Sequence, residues 1–468
     1  MKPTEKQDWH DLTEICGEAN VLLTDEALDL HSYDIWPAAA KWKLQGKQPY
    51  RPDVVVRPLS TDQVSRVLYW ATRNAVPVTP WGLGSSVTGA ALPMRGGISL
   101  DLSGMKRVLA LEPINLLIRV QAGMLGLELE QQLNERGFTL NHSPQSLDRS
   151  TVGGWVSTRA TGQFSSRWGG IEELALALTA VLPTGEVVET PLSPRAAVGP
   201  DLRHLFMGAE GTLGVVTEVA MKIFPIAEHR VYQTLAFPTV DAGLAAMRGI
   251  TQAGLRPFLV RLYDADEARH AMKDPGFSSP VMFLGFEGLR AVAEAEYAAG
   301  LQICAQEEGS AIGPEATLAW MDRRFDFSTI ESLLATPGGL AETIEVAHFW
   351  DGIFETYQAL KAALAPYANE VLGHFSHVYP QGTSLYIILL GQAEDDAAAE
   401  VRIMQIWKIA MKICLEKGAV ISHHHGVGIA RLPYIRAQLG SAMIALERVK
   451  SALDPSGVMN PGKLGLNG

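Results

Sequence analysis

Residues 79–89, Thr-Pro-Trp-Gly-Leu-Gly-Ser-Ser-Val-Thr-Gly, constrain this chain more than any other stretch. Glycine lets backbone N–H groups turn toward a ligand with no Cβ in the way. Successive N–H groups curled in this manner form an anion-binding nest. Small hydroxyl side chains add donors, so the loop suits a pyrophosphate, with a plain turn as the competing reading. The spacing is not the usual dinucleotide fingerprint, in which a helix starts at the third glycine. Here the chain runs through Ala90-Ala91-Leu92-Pro93 into an apolar run at 98–102 that reads as a strand. With Val76-Pro77-Val78 before it, the loop joins two strands.

The 468 residues exceed one ordinary core and call for two or more domains. A net charge of −12 leaves no basic excess to neutralise phosphates, which argues against a nucleic-acid partner. Cys16, Cys304 and Cys414 are odd in number and far apart. They form neither a disulfide framework nor a C-x-x-C pattern and suit a reducing compartment. Residues 1–8 are too polar for a signal peptide. No apolar run is long enough for a membrane span, and the ending Gly-Leu-Asn-Gly carries no peroxisomal address. A cytoplasmic protein is expected.

Along the chain, residues 1–50 read as helical and irregular, with Tyr33 to Pro37 covering an edge of the glycine-loop unit. In that unit, a strand at 53–58, a helix at 61–74 capped by Ser60 or Thr61, and the strand before the loop make a small β–α–β motif. Strands are expected at 116–120 and 215–223, a helix at 126–136, and a hairpin at 176–189. Three further small-residue patches come after the glycine loop: 144–155, 158–162 and 210–214. Four such loops between strands fit one extended ligand, the alternative being four independent turns. Beyond Pro225, alanine-rich helices alternate with short strands until about 415. The segment 418–468 returns to motifs, Ser422-His423-His424-His425-Gly426 and Asn460-Pro461-Gly462-Lys463.

With these patches in order, the chain resembles the FAD-binding family of vanillyl-alcohol oxidase and p-cresol methylhydroxylase (PCMH) type. Within it, Ser150-Thr151-Val152-Gly153-Gly154-Trp155, Thr158-Arg159-Ala160, Glu210-Gly211-Thr212-Leu213-Gly214 and the histidine trio are similar to alkylglycerone-phosphate synthases. The ending Asn460-Pro461-Gly462-Lys463 is closer to the glycolate oxidase FAD subunit and D-lactate dehydrogenases. The resemblance implies an α+β fold. It comprises a two-subdomain FAD-binding PCMH-type domain (51–225), a substrate or cap domain with an antiparallel sheet and flanking helices (226–415), and a C-terminal segment (416–468) returning to the flavin. It implies that Pro80, Trp81, Gly82, Leu83, Gly84, Ser85 and Ser86 hold the FAD pyrophosphate. Pro144, Ser146, Leu147, Ser150, Thr151, Gly153, Gly154, Thr158, Arg159, Ala160, Thr161, Glu210, Gly211, Thr212, Gly214, Val215 and Val216 would line the rest of FAD. The glycine loop has no His, Cys or Tyr to bond the flavin, so FAD is expected to be non-covalent.

Three consecutive histidines, with ordinary pKa values near physiological pH, suit proton transfer. Metal binding and a bland surface patch are the rival readings. In an extended segment His423 and His425 would face one way and His424 the other. The resemblance assigns Tyr386 the role of proton donor or acceptor, and places Arg261 near the flavin and His377 at the substrate. Arg261 sits among Phe258, Leu259, Val260 and Leu262 and is costly to bury unpaired. It is salt-bridged to Asp264 or another acid, or it meets an anionic substrate. Two positions depart from the family pattern. Glu331 falls where synthases carry a phosphate-anchoring arginine, with Arg323 or Arg324 as substitutes. His424 stands where dehydrogenases carry a metal-ligating glutamate, so no metal is expected.

The expected function is an FAD-dependent oxidoreductase. It moves a hydride from a hydroxyl-bearing carbon, of a D-2-hydroxy acid or related alcohol, to flavin N5. Its partners are a small-molecule substrate and an unassigned electron acceptor, and the chain is compatible with a homodimer. The alternative enzyme is an alkylglycerone-phosphate synthase using FAD without net redox. A flavin-free binding protein is the third reading.

Overall fold

The computed structural model describes residues 9–466. Residues 1–8, with the signal-peptide reading, and the last two residues of the ending lie outside the described residues. The architecture is α+β, with each sheet covered by its own helices. In the first sheet Val54–Val56, Ile98–Asp101 and Val78–Trp81 run parallel in that order, and Val21–Leu22 adds an antiparallel edge. Val54, Val55 and Val56 are all inaccessible, as a parallel strand covered on both faces requires. The crossover helix Thr61–Asn74 starts at Ser60, whose hydroxyl accepts from Gln63 N at 3.2 Å. It buries Val64, Val67, Leu68 and Ala71 as one stripe.

The second sheet is antiparallel, in the order Val108–Glu112, Leu117–Gln121, Val215–Lys222, Ala175–Val181, Val187–Glu189. Its edge strand Val108–Glu112 has no counterpart among the expected strands: neither face is buried, so its sequence carries no alternation to read. The 144–155 patch is also not simply a loop between strands. Val152–Thr158 is a helix, and the Thr151 hydroxyl caps it by accepting from Gly154 N at 3.3 Å. Gly153 looks like loop sequence but serves packing, since a Cβ there would lie 2.7 Å from that of Ala122.

The third sheet has seven strands, all antiparallel. The order is Ser310–Ala311, His229–Ala236, Val281–Gly288, Leu259–Tyr263, Glu370–Tyr379, Gly382–Gln392, Gly339–Phe349. Helices Val240–Gln252, Arg290–Gln306, Trp350–Leu364 and Asp396–Lys417 cover one face. The N-terminal segment does more than cover an edge of the glycine-loop unit. Ile35 N donates to Gly84 O (3.2 Å), but Trp36 is inaccessible inside this third core, and helix Pro37–Leu44 packs on Asp396–Lys417.

Strand side chains alternate between faces. Leu385, Ile387 and Leu389 lie in the helix-covered core, which turns Tyr386, Ile388 and Leu390 to the opposite side. Val260 and Leu262 do the same for Arg261, and Ile344 and Val346 for Glu345. Helices Ala265–Met272, Glu315–Arg323 and Ser328–Ala335 cover part of this face, and the remainder encloses one large cavity with the loops of the first two sheets. No described helix is long and apolar enough to cross a membrane.

Candidate active site

The cavity has a volume of about 1820 Å³, well beyond the roughly 300–1,000 Å³ of an ordinary ligand pocket. The glycine loop forms part of its wall. A Cβ on Gly82 would sit 2.5 Å from Thr151 Oγ1, and one on Gly84 (φ +64°) 2.5 Å from the Trp81 ring. Gly211, at φ +71°, abuts Pro80 in the same way. These positions accept only glycine, and they draw the 79–89 loop against the 150–154 and 210–216 segments.

The seven loop residues Pro80 to Ser86 all line the cavity. So do Pro144, Ser146, Ser150, Thr151, Gly153, Gly154, Thr158, Ala160, Thr161, Glu210, Gly211, Gly214, Val215 and Val216. Three residues of the expected set do not. Leu147 packs in the core beneath, Arg159 turns out to Glu172 at 2.9 Å, and Thr212 is inaccessible with its hydroxyl on Ala209 O. Gln163 Oε1 and Asp34 Oδ2, on residues of the same wall, are buried without a partner. A long ligand rich in polar groups fits this combination of backbone cradle, hydroxyls and unpaired acceptors.

Across the cavity stands the third sheet, whose register assembles a polar cluster. Tyr386 pairs directly with Glu345 on one side and with His374 on the other, and His374 pairs with Tyr263. A bulge between Ser376 and Val378 puts His377 at φ +52°. That break in alternation brings its ring to 4.8 Å from that of His424. His377 Nδ1 meets Ser165 Oγ at 2.8 Å.

The histidine trio does not run as an extended segment. It wraps around Glu345, a residue missed at the sequence level. The Glu345 carboxylate accepts the backbone N–H groups of His423, His424 and His425 at 2.7, 2.9 and 3.3 Å. His424 Nδ1 lies 3.2 Å from it. Arg431, fully buried, donates to Glu345 Oε2 (3.3 Å) and to Glu345 O, Ile421 O and Gly426 O. Though burial opposes it, the field of His424, His425 and Arg431 holds the Glu345 carboxyl well below the usual range. An acid flanked by Ile344 and Val346 was the available signal.

The surface-patch reading of the trio is corrected, for the three side chains are only 11%, 10% and 19% exposed. The expectation of ordinary imidazole pKa values also fails: burial pushes His423 and His425 down to about 3. Glu345, His423 and His424 offer ligand atoms within 4.8 Å of one another. A cation there would compete with the amide N–H groups that Glu345 already accepts.

Tyr386 and His424 meet at the cavity, with the phenol oxygen 2.7 Å from Nε2. Tyr386 is buried from outside yet half-open to the cavity, and burial with Glu345 nearby raises its pKa well above the usual value. His424 and His425 line the cavity with it, whereas His423 lies behind.

Arg261 is not paired with Asp264, which holds Tyr357 and Lys361 instead. Its Nη2 donates to His374 Nε2 (2.6 Å) and its Nε to Tyr263 Oη (3.1 Å). His374 Nε2 therefore accepts, and Nδ1 donates to Glu267 at 2.8 Å. Burial and Arg261 hold His374 well below the usual imidazole range. Arg261 Nη1 has no hydrogen bond among the described residues, and the side chain lines the cavity. Glu331 pairs with Arg149 at 2.5 Å, so its charge is neutralised at the cavity wall.

Comparison with known proteins settles the class. Residues 226–464 match the C-terminal domain of FAD linked oxidases, and residues 52–191 match an FAD binding domain. The chain belongs to the FAD-linked oxidase family. It is an FAD-dependent enzyme, and the glycine loop and the 144–161 segments fall within the residues that match its FAD-binding portion. It is 29% identical to alkyldihydroxyacetonephosphate synthase of Trypanosoma brucei brucei, over 88% of this chain and 73% of that protein. It is 30% identical to the mitochondrial D-lactate dehydrogenase [cytochrome] of Arabidopsis thaliana, again over 88% and 73%. The structure of p-cresol methylhydroxylase with substrate bound has the same fold, with a TM-score of 0.82 at 15% identity, covering 98% and 96% of the two chains.

Proposed function

We propose that the protein oxidises a hydroxyl-bearing carbon, of a D-2-hydroxy acid or a related alcohol, with non-covalently held FAD as cofactor. Bound FAD supplies the hydride acceptor. Pro80 to Ser86 hold its pyrophosphate, and the 144–161 and 210–216 residues on the cavity wall hold the remainder. Tyr386 receives the hydroxyl proton as it hands its own to His424 Nε2. The Glu345 carboxylate lies 3.2 Å from Nδ1 of that ring and holds it in place. Arg261, with Nη1 uncommitted, takes the substrate carboxylate, and His377 closes the pocket beside His424.

The observation that carries this reading is the 2.7 Å contact of Tyr386 with His424 on the face that also presents Arg261. The test is anaerobic addition of D-lactate, glycolate, D-2-hydroxyglutarate and longer 2-hydroxy acids to the yellow protein. Bleaching of the flavin band by one of them is the expected result. A yellow protein that none of them bleaches sinks the reading.

One feature favours a second reading, the synthase-type exchange without net redox. Ala341, Leu372, Ile388, Leu390 and Leu334 form an apolar wall beyond Tyr386, suited to an alkyl or acyl chain. With Glu331 paired to Arg149, a phosphate on the substrate would not face an uncompensated carboxylate. Exchange of a labelled fatty alcohol into an acylated phosphoketone, with no change in the flavin spectrum, distinguishes it.

A further inference from the structure

An unbroken line of hydrogen bonds leads away from the cavity. Tyr386 Oη lies 2.7 Å from His424 Nε2, His424 Nδ1 lies 2.8 Å from His423 Nδ1, and His423 Nε2 lies 2.8 Å from Tyr379 Oη. The line begins at a residue that lines the cavity and ends at one that does not. Tyr379 is half-buried at the last position of its strand, beside the exposed Pro380 and Gln381. We propose that the proton released by the substrate travels through Tyr386, His424, His423 and Tyr379 and leaves the protein next to the exposed Pro380 and Gln381. The inference rests on the proposed role of Tyr386 as the group that takes the hydroxyl proton.

All three contacts can be polarised in the same sense, outward from the cavity. If Tyr386 donates to His424 Nε2, His424 carries its proton on Nδ1 and donates to His423 Nδ1. His423 then carries its proton on Nε2 and donates to the Tyr379 oxygen. The Tyr379 hydroxyl hydrogen is left free to point outward, since its oxygen has no hydrogen bond but that to His423 among the described residues. Each imidazole takes a proton on one nitrogen and gives one up from the other. One proton enters at Tyr386 and one leaves at Tyr379. No electrons move along the line, and every ring ends neutral.

Two independent features fit this use. Glu345 lies 3.2 Å from His424 Nδ1 and 3.8 Å from His423 Nδ1, so a buried negative charge borders the middle of the line. At the far end, burial and then the charges of Glu172 and Glu173 raise the Tyr379 hydroxyl above its usual range, and Glu172 Oε2 is buried without a partner. Arg159 takes its Oε1, which leaves Oε2 as the open acceptor. Burial keeps His423 at about 3, so the ring passes a proton on and does not store one.

The test is stopped-flow reduction of the holoenzyme by whichever of D-lactate, glycolate and D-2-hydroxyglutarate bleaches the wild type, in H₂O, D₂O and their mixtures. Tyr379→Phe removes the outer link without touching the cavity. It should stay yellow and reduce at least about tenfold more slowly, less than the roughly 10²- to 10⁴-fold of a general acid or base itself. Added imidazole, acting on His423 from outside, should restore the rate. The wild type should show a curved dependence on deuterium fraction, the mark of several protons in motion. His423→Gln, with no second ring nitrogen, should match Tyr379→Phe. An unchanged rate in Tyr379→Phe, a slowing that imidazole does not relieve, or a linear wild-type dependence overturns the relay. Tyr386→Phe separates the two ideas. If it is inactive while Tyr379→Phe is normal, the base assignment stands and the relay falls. If none of the three acids bleaches the wild type, the base assignment falls and takes the relay with it.

Discussion

Tyr386 and Glu345 are directly opposed across two antiparallel strands, and the histidine trio sits between their side chains. The carboxylate fixes His424 from the backbone side and the phenol meets it from the cavity side. If this pair is the reactive edge, Tyr386→Phe keeps the ring and its stacking on His374 (4.5 Å between centroids) and loses only the oxygen. The variant should bind FAD and stay yellow, and substrate-driven reduction should fall by roughly 10²- to 10⁴-fold. Rapid-mixing absorbance is the measurement, and a normal rate would rule out the role.

Glu345→Gln leaves the Arg431 guanidinium buried without its counter-charge. A loss of roughly 3 kcal/mol is expected, the order seen when a buried pair loses one partner. The Glu345 carboxyl lies below its ordinary value when folded. Its contribution is therefore complete above the unfolded carboxylate pKa and lost as pH falls through the folded one. Urea denaturation should give a constant gap between wild type and variant from neutral pH to about pH 5, narrowing below that.

Arg261→Lys retains a positive charge but not the fork that serves His374, Tyr263 and the cavity at once. For a carboxylate substrate the expectation is a KM raised roughly 10- to 100-fold, the cost of one charged hydrogen bond. The limiting rate should change far less. An alcohol substrate without an anionic group should be unaffected, and equal losses for both would show that Arg261 acts only on packing.

Gly84→Ala places a methyl group against the Trp81 ring at a left-handed backbone position. The conformational cost alone is about 1–2 kcal/mol. Purified protein should therefore carry less FAD, and rebinding titrations should show affinity reduced about tenfold or more. Full retention of FAD would mean that this loop does not hold the pyrophosphate.

What the sequence determined was local. The helix over 61–74 and its Ser60 cap, the strands around the glycine loop and the hairpin ending at Glu189 arise from capping, period and turn chemistry among near neighbours. The ordered small-residue patches identified the family, because a backbone cradle demands glycine at fixed places whatever surrounds it. The strand Val108–Glu112 escaped because an exposed edge leaves no hydrophobic alternation. The site itself belongs to the tertiary structure. Arg261, Glu345, His374 and Tyr386 come from four strands, and pairing register alone sets them side by side. Nothing near His423 in the chain marks Glu345 as its anchor, 78 residues away. Nor does Tyr379 carry a sign that it meets the trio. Burial then drew His423 and His425 away from their ordinary pKa values, because the free energy of a charge depends on the medium that the fold builds around it.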